Sequence, residues 1–523
     1  MRKRHIYILV LILCGIGFGL VYLKTTRLGL PLQPGQTGYI WTAEARVEFT
    51  GTRRAATVEL QLPADPRGYL ILDEYFIARN YGLKEETSGR KRMAEWSIRR
   101  AQGPQQLYYQ VELTQAPPIE NENPAREKAP RPPDKPDYPD ALEQVVEGLL
   151  TNVRSESSNI FTFVSQLLVR LNNSTSDSDI KSITQGIAPG TEEWVQRIRY
   201  ILAGAKISTR MVRGISLEDG KINEALTPWL EVHNGDRWEG FNPLSGDKGY
   251  PANFLRWNIG DDPILTVDNG RNVHLTFAVS QRPQTQTSIA LESAKAMDSA
   301  LATWSLHKLP MNTQYTYRVL IMIPLGALVV LFLRIIVGVP TFGTFMPVLI
   351  ALAFRETGLI WGVCLFTGIV GAGLLFRFYL NHLHLLLVAR LSAVLTLVVV
   401  MMLIISLLSN KLGLIQGFSI ALFPVVILTM VIERMSIKWD ESGSVEAFKS
   451  GFGSLAVAIL GYLLMNNAHA QHLMFVFPEL LLVVLAIAIL FGSYTGYRLS
   501  ELFRFRDLAL EVEKKDAGAG TGA

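Results

Sequence analysis

Acyl-transfer chemistry on a peptide needs a nucleophile, a base that takes its proton, and a third polar group that orients the base. The stretch from Pro189 to Tyr250 comes nearest to supplying such a set. A helical run, Glu192–Leu202, ends at Ala203-Gly204, and three strand-like pieces follow at Thr209–Leu217, Pro228–His233 and Arg237–Asn242. Glu218-Asp219-Gly220 and Asn234-Gly235-Asp236 separate them with the turn chemistry that closes hairpins. The polar residues at the element ends are Gly190-Thr191, Thr227 and Asn242, and the nearby imidazole is His233 beside a turn. The two cysteines, Cys14 and Cys364, both lie inside apolar segments, so this region has no thiol. A Thr191 hydroxyl would need an adjacent base, Thr227 is no base at neutral pH, and Asn242 has no histidine to orient.

The order helix, strand, strand, strand, with Trp229 and Trp238 on successive strands, resembles the core of the transglutaminase-like fold. That resemblance implies a Cys heading the helix, a His opening the second strand and an Asp ending the third. The usual Gly-Ile-Pro-x-Arg word is here Gly204-Ala-Lys-Ile-Ser-Thr-Arg210, and the Cys slot falls near Gly190. His-x-Trp-x-Glu becomes Thr227-Pro-Trp229-Leu-Glu231, and Trp-x-x-Phe-Asp-Pro becomes Trp238-Glu-Gly-Phe241-Asn242-Pro243. Scaffold residues persist where reactive ones do not. The expectation is a pseudoenzyme with no catalytic residues, whose Arg210, Trp229, Glu231 and Trp238 are candidate contacts for a peptide-like ligand.

The elements that must hold this centre lie in a chain of 523 residues with 49% hydrophobic and 18% charged positions, unevenly spread. Residues 24–316 have ordinary soluble composition and the part beyond 317 is mostly apolar, which reads as a membrane protein with a large water-soluble part. A net charge of +4 does not point to nucleic acid. Residues 1–24 pair a cationic start, Arg2-Lys3-Arg4, with about 18 apolar residues, enough for an uncleaved signal anchor. Alternating apolar and polar runs over 37–115 read as a small exported β domain. The Pro-rich, charged 116–140 reads as a linker or extended strap. Residues 141–316 form the transglutaminase-like α+β domain, with further strands expected at His274–Val279 and Tyr315–Arg318, and 317–496 a seven-helix transmembrane bundle. Residues 497–523 are a basic tail with a disordered end.

Seven apolar segments are expected, at Val319–Val339, Phe342–Phe354, Gly358–Leu380, Leu385–Leu408, Leu412–Ile432, Phe452–Leu464 and Leu473–Phe491. With residue 316 outside, predicted inner loops and ends carry Arg334, Arg377, Arg390, Arg434, Lys438, Lys449, Arg498, Arg504 and Arg506. Predicted outer loops carry only Arg355 and Lys411. The positive-inside rule then puts both termini in the cytoplasm and the large domain in the periplasm of an inner membrane. Phe342–Phe354, broken by Pro340, Gly343 and Pro347, spans about 20 Å as a helix against a hydrocarbon core of about 30 Å. Arg355, Glu356, Glu433, Arg434 and Glu479 are the ionisable candidates in or beside these segments, and Arg355 is one candidate partner of Glu479, in a structural ion pair or a proton-handling role. His382-x-His384 and His469-x-x-His472 supply too few ligands to specify a metal, and no phosphate-binding Gly-rich loop is present, so no cofactor is expected.

The arrangement resembles a bacterial family described as an inactive transglutaminase fused to seven transmembrane helices. The words carrying it are Gly338–Thr357, Ile432-Glu-Arg434 and Ser493–Arg506. The resemblance implies cytoplasmic partners, an ATP-grasp amide ligase and a protease-like protein. The expected function is a non-catalytic scaffold or signalling protein that recognises a peptide-like or cell-envelope ligand. The alternatives are a secondary transporter with its site among Pro340–Pro347, Arg355, Glu356 and Glu479, and an enzyme with an unrecognised nucleophile.

Overall fold

A computed structural model of the chain describes residues 2–64, 66–88, 91–116, 130–173, 178–184, 186–297, 305–383, 387–411, 422–501 and 505. Most of the Pro-rich linker, the start of the expected fifth crossing, Trp304, His384, Arg504 and Arg506 lie outside them. The chain divides into two compact units, one made chiefly of residues 35–302 and one of the amino-terminal helix with residues 303–523.

In the first unit, strands β1 (Thr37–Thr52), β2 (Ala56–Leu62), β3 (Tyr69–Ala78), β4 (Gly82–Ser88), β5 (Lys91–Ile98) and β6 (Gln102–Gln115) precede the helices. Side chains alternate along them, as in the buried and half-buried sequence of Ala56–Leu62, because successive residues of a strand face opposite sides. The buried faces of two sheets meet in one core around Val47, Leu60, Trp96, Tyr109 and Phe277. The expected self-contained β domain over 37–115 needs correction. Strands β12 (Leu265–Asp268) and β13 (Gly270–Thr285) complete these sheets, in the orders β12-β2-β5-β4 and β3-β6-β1-β13-β8. β13 pairs with β1 from Thr37↔Thr285 to Gly51↔Gly270, so the second hydrogen-bonding edge of β1 is paired only once residues more than 200 positions later have arrived.

Helices α2 (Asp140–Glu156), α3 (Ile160–Asn173), α4 (Ser178–Thr184) and α5 (Glu192–Gly204) contribute to a second core. They cover the third sheet, β10-β9-β7-β11, made of β7 (Thr209–Ser216), β9 (Thr227–His233), β10 (Trp238–Phe241) and β11 (Phe254–Ile259). The three expected strands are thus β7, β9 and β10. Between β7 and β9 the chain does not close a hairpin. It leaves to add β8 (Lys221–Glu224) beside β13, where the Gln281 amide donates to Asp219 at 2.8 Å. Residues 130–139 run as an extended strap, tied by the Tyr138 hydroxyl to the Tyr200 carbonyl at 2.8 Å. Helix α6 (Gln286–Ala296) ends this unit's described part.

The second unit holds α1 (Arg2–Leu28), α7 (Met311–Val337), α8 (Phe345–Thr357), α9 (Leu359–His382) and α10 (Leu387–Lys411). It continues with α11 (Leu422–Ser442), α12 (Ser444–Met465), α13 (Ala468–Val476) and α14 (Leu480–Gly492). Among the described residues four helices are long and apolar enough to cross a membrane, and five when α13 and α14 count as one broken span. Tyr315–Arg318, expected as a strand, lies inside α7, which starts right after Pro310. The 13-residue α8 is buried on nearly every side, through Met346, Val348, Ile350, Ala351, Leu352 and Phe354. An apolar helix this short that packs all round is a core helix of the bundle. The expected single segment Leu473–Phe491 is bent by 110° between α13 and α14. Pro478 sits at the break, where its missing N–H and its ring end the first helix.

Candidate functional site

The three positions that lack catalytic side chains converge at one end of the third sheet. β9 and β10 are antiparallel with Phe241 opposite Leu230, which brings the end of β10 at Asn242 to the start of β9 at Thr227. The head of α5 is tied to the same end twice. Trp194 Nε1 donates to the Pro243 carbonyl at 3.2 Å, and Glu192 receives Arg213 of β7 in a two-pronged pair at 2.7 and 2.9 Å. Arg213 also donates to the carbonyls of Gly260 and Asp262, at 3.0 and 3.2 Å. Sequence reasoning missed this pair, although an acidic residue in the first helical turn was the available signal.

Each reactive position has a structural task instead. Gly190 has φ +88°, a conformation a cysteine would adopt only with strain. Thr191 is the N-cap of α5; its hydroxyl accepts from the Trp194 amide at 3.3 Å and donates to the Ala188 carbonyl at 2.9 Å. Asn242 Oδ1 accepts from the Leu244 amide at 2.9 Å, closing a turn. Thr227 is exposed and opens β9 opposite Gly214. His233 stands at the far end of β9, 5% exposed against the Trp238 ring and accepting from the Gly235 amide at 3.0 Å. This end therefore offers a frame for acyl transfer without nucleophile or base.

The four candidate ligand contacts are drawn into the frame. Glu231 has no exposed surface and accepts from Arg210 Nε at 2.5 Å, Tyr250 hydroxyl at 2.9 Å and Arg256 Nη1 at 3.2 Å. Burial, reinforced by the Glu231 carboxylate, pushes the Tyr250 phenol well above its usual range, so it stays a donor. Trp229 packs with Tyr250 and Phe254, and the Arg210 guanidinium lies 4.1 Å from the centre of the Trp238 ring. Glu231 and Trp229 are inaccessible to a ligand here. Trp238 does line a cavity of about 380 Å³ with Arg131, Arg199 and Tyr200. A larger one, about 580 Å³, opens around His233 and is lined by Pro130, Arg154, Ser157, Asn159 and Phe163.

The model of a family described as seven transmembrane helices usually fused to an inactive transglutaminase matches residues 262–509. A second, described as an inactive transglutaminase fused to seven transmembrane helices, matches residues 23–187. The chain belongs to this family. The described inactivity agrees with the lost centre, although residues 190–242 lie between the two matched ranges. Among solved structures the chain is similar to a candidate cysteine protease from Cytophaga hutchinsonii, with 12% identity and a TM-score of 0.32, over 47% of this chain and 93% of that one. No curated protein matches it.

In this inactive transglutaminase the helical unit distributes the remaining candidates. Glu479, at the break before α14, pairs with Lys24 of α1 at 2.9 Å, not with the candidate Arg355. Gly17 makes the approach possible, since a Cβ there would lie 2.8 Å from Val483. His472 Nε2 lies 2.8 Å from the Pro31 carbonyl, a second tie between the chain's beginning and its last helices. The second Glu479 oxygen and Arg355 Nη1 are buried without a hydrogen-bond partner. Glu356 and Glu433 are half-buried, and Arg434 faces a cavity of about 660 Å³. Arg377, read only as a loop charge, is 7% exposed on α9 and pairs with Asp440 of α11 at 2.5 Å. A lone arginine within an apolar helix was the signal for a partner.

Proposed function

We propose that this non-catalytic membrane protein is a receptor or scaffold of a bacterial inner membrane, with the first unit periplasmic and both termini cytoplasmic. The first unit binds a peptide-like or cell-envelope ligand, and the bundle couples that binding to a cytoplasmic partner such as an ATP-grasp amide ligase. A protease-like protein is a further partner on the same family resemblance. The observation that carries the reading is the reversal of the two ends of β9. The reactive end is closed by Thr191 and Asn242 acting as caps, while the His233 end opens into the cavity of about 580 Å³. Its lining mixes Arg154, Ser157 and Asn159 with Ile160 and Phe163, the combination that holds an amide-bearing chain by hydrogen bonds and apolar contact. Titration of the full chain in lipid nanodiscs with envelope peptides and glycan fragments should give saturable binding that Arg154→Ala and Asn159→Ala weaken about tenfold, or about 1.4 kcal/mol. Binding by neither ligand class, or equal binding by both variants, refutes the reading.

A secondary transporter is the second reading, favoured by one observation, the broken helix with its half-buried Glu479–Lys24 pair. Under it, Glu479→Gln abolishes ligand uptake into vesicles. Under the receptor reading, there is no uptake to abolish.

A further inference from the structure

We propose that the cavity of about 660 Å³ in the helical unit is a binding site for a phosphate ester. Its cations come from three separated parts of the chain: Arg334 near the end of α7, Arg434 and Lys438 on α11, and Arg498 after α14. Glu441 and Glu446 also line it, leaving a net charge of +2. Two other cations of this unit are matched by carboxylates, in Arg377–Asp440 and Lys24–Glu479. Among the described residues, none of the four charged groups here has a carboxylate within 4 Å, while the Arg498 backbone amide donates to Glu501 at 3.2 Å. The excess of like charge is repulsive, and an anion between the cations removes that cost.

The floor of the cavity is built for close approach. The chain between α7 and α8 turns at Gly338, whose φ is +90°. It is held by the Phe342 amide donating to Ser454 Oγ at 2.8 Å. A Cβ on Gly453 would stand 2.1 Å from the Pro340 carbonyl, so only glycine lets α12 seat this turn. Arg334 is steered toward the turn by a 3.3 Å hydrogen bond to Thr344 Oγ1. That residue precedes α8 without capping it, so no side-chain cap takes up the amides of Phe345 and Met346, two residues that line the cavity at the positive end of the helix. Guanidinium forks and helical amides suit phosphate oxygens, and a monoester carrying about −2 at neutral pH balances the lining. The volume, within the roughly 300–1,000 Å³ of small-molecule sites, leaves room for the organic part of the ester. A phospholipid headgroup, a diester carrying about −1, offers the same phosphate oxygens as a soluble monoester and balances half the excess charge.

Calorimetry on the full chain in neutral detergent, with glycerol 3-phosphate and separately with short-chain phosphatidylglycerol, tests the site and distinguishes the two sources. At least one probe should bind saturably, weakened tenfold or more by the double substitution Arg434→Gln/Arg498→Gln and unchanged by Lys449→Gln, which removes a charge outside the cavity. Binding of glycerol 3-phosphate assigns a soluble ester, and binding of the lipid alone assigns a headgroup. The proposal is overturned if neither probe binds, or if Lys449→Gln weakens binding as much as the double substitution. The unfolding midpoint of each variant, compared with the parent, separates lost binding from lost fold.

Discussion

Burying an ionised carboxylate is tolerated only where donors replace its water, and Glu231 has three, from Arg210, Tyr250 and Arg256. Arg256 is itself 2% exposed, so the two charges depend on each other. Glu231→Gln keeps the shape and removes the charge, leaving Arg256 buried beside a second arginine. The expected loss is about 3–5 kcal/mol, read as a lower urea midpoint by tryptophan fluorescence. A variant unfolding at the parent's midpoint would show that the arginines find other partners. The sequence word Trp229-Leu-Glu231 marked this residue, but its role was not legible. A Glu two places after a strand tryptophan reads equally as a ligand contact or a buried anchor. The deciding partners, Tyr250 and Arg256, arrive from beyond β10, and only the folded register brings them together. The lost triad was legible, because a missing Cys and His are properties of residue type.

Elements break where a residue cannot continue them, and at the α13–α14 break the sequence showed Pro478 but not the destination of Glu479. That partner, Lys24, lies 455 positions away at the end of the anchor helix, beyond the reach of any local pattern. The side chains of Lys24 and Glu479 are 14% and 7% exposed, so removing one strands the other. Lys24→Gln or Glu479→Gln alone should cost about 3 kcal/mol in thermal unfolding in detergent. The double substitution should cost clearly less than the sum, and additive losses would deny the coupling. A second element-level effect sits just before α7. Burial, then Arg318 and His472, push the His307 imidazole down from 6.5 to about 4. The unfolded chain therefore takes up this proton first, and stability from neutral His307 is complete above pH 6.5 and lost as pH falls toward 4. His307→Gln should flatten the fall in unfolding temperature across that window. An unchanged slope would assign it to other groups. The short helix α8 was legible as an anomaly in length, but not as a core helix, because burial on every side depends on which neighbours close around it.

At the scale of the whole molecule, the boundary visible in sequence and the boundary in the fold disagree. Residue 262 opens the matched transmembrane range, yet 265–285 are strands of the first unit. Composition could not reveal this, since β12 and β13 are as polar as the domain they complete. What they supply is a central ladder: β13 lies between β1 and β8, and its Phe277 and Val279 enter the core beside Trp257. A fragment ending at residue 261 keeps β1 through β11 but leaves the long ladder edge of β1 unpaired and its core open on one side, an arrangement prone to association. The fragment 35–297 should show a single cooperative urea transition, whereas 35–261 should show none and should bind a hydrophobic dye. Equal midpoints for the two would mean that β13 is an ornament on an already closed sandwich. Because β1, paired on one side with β6, gains its second partner from more than 200 residues later, refolding of 35–297 should also be slow, on the order of seconds, as pairing of that sequence separation requires.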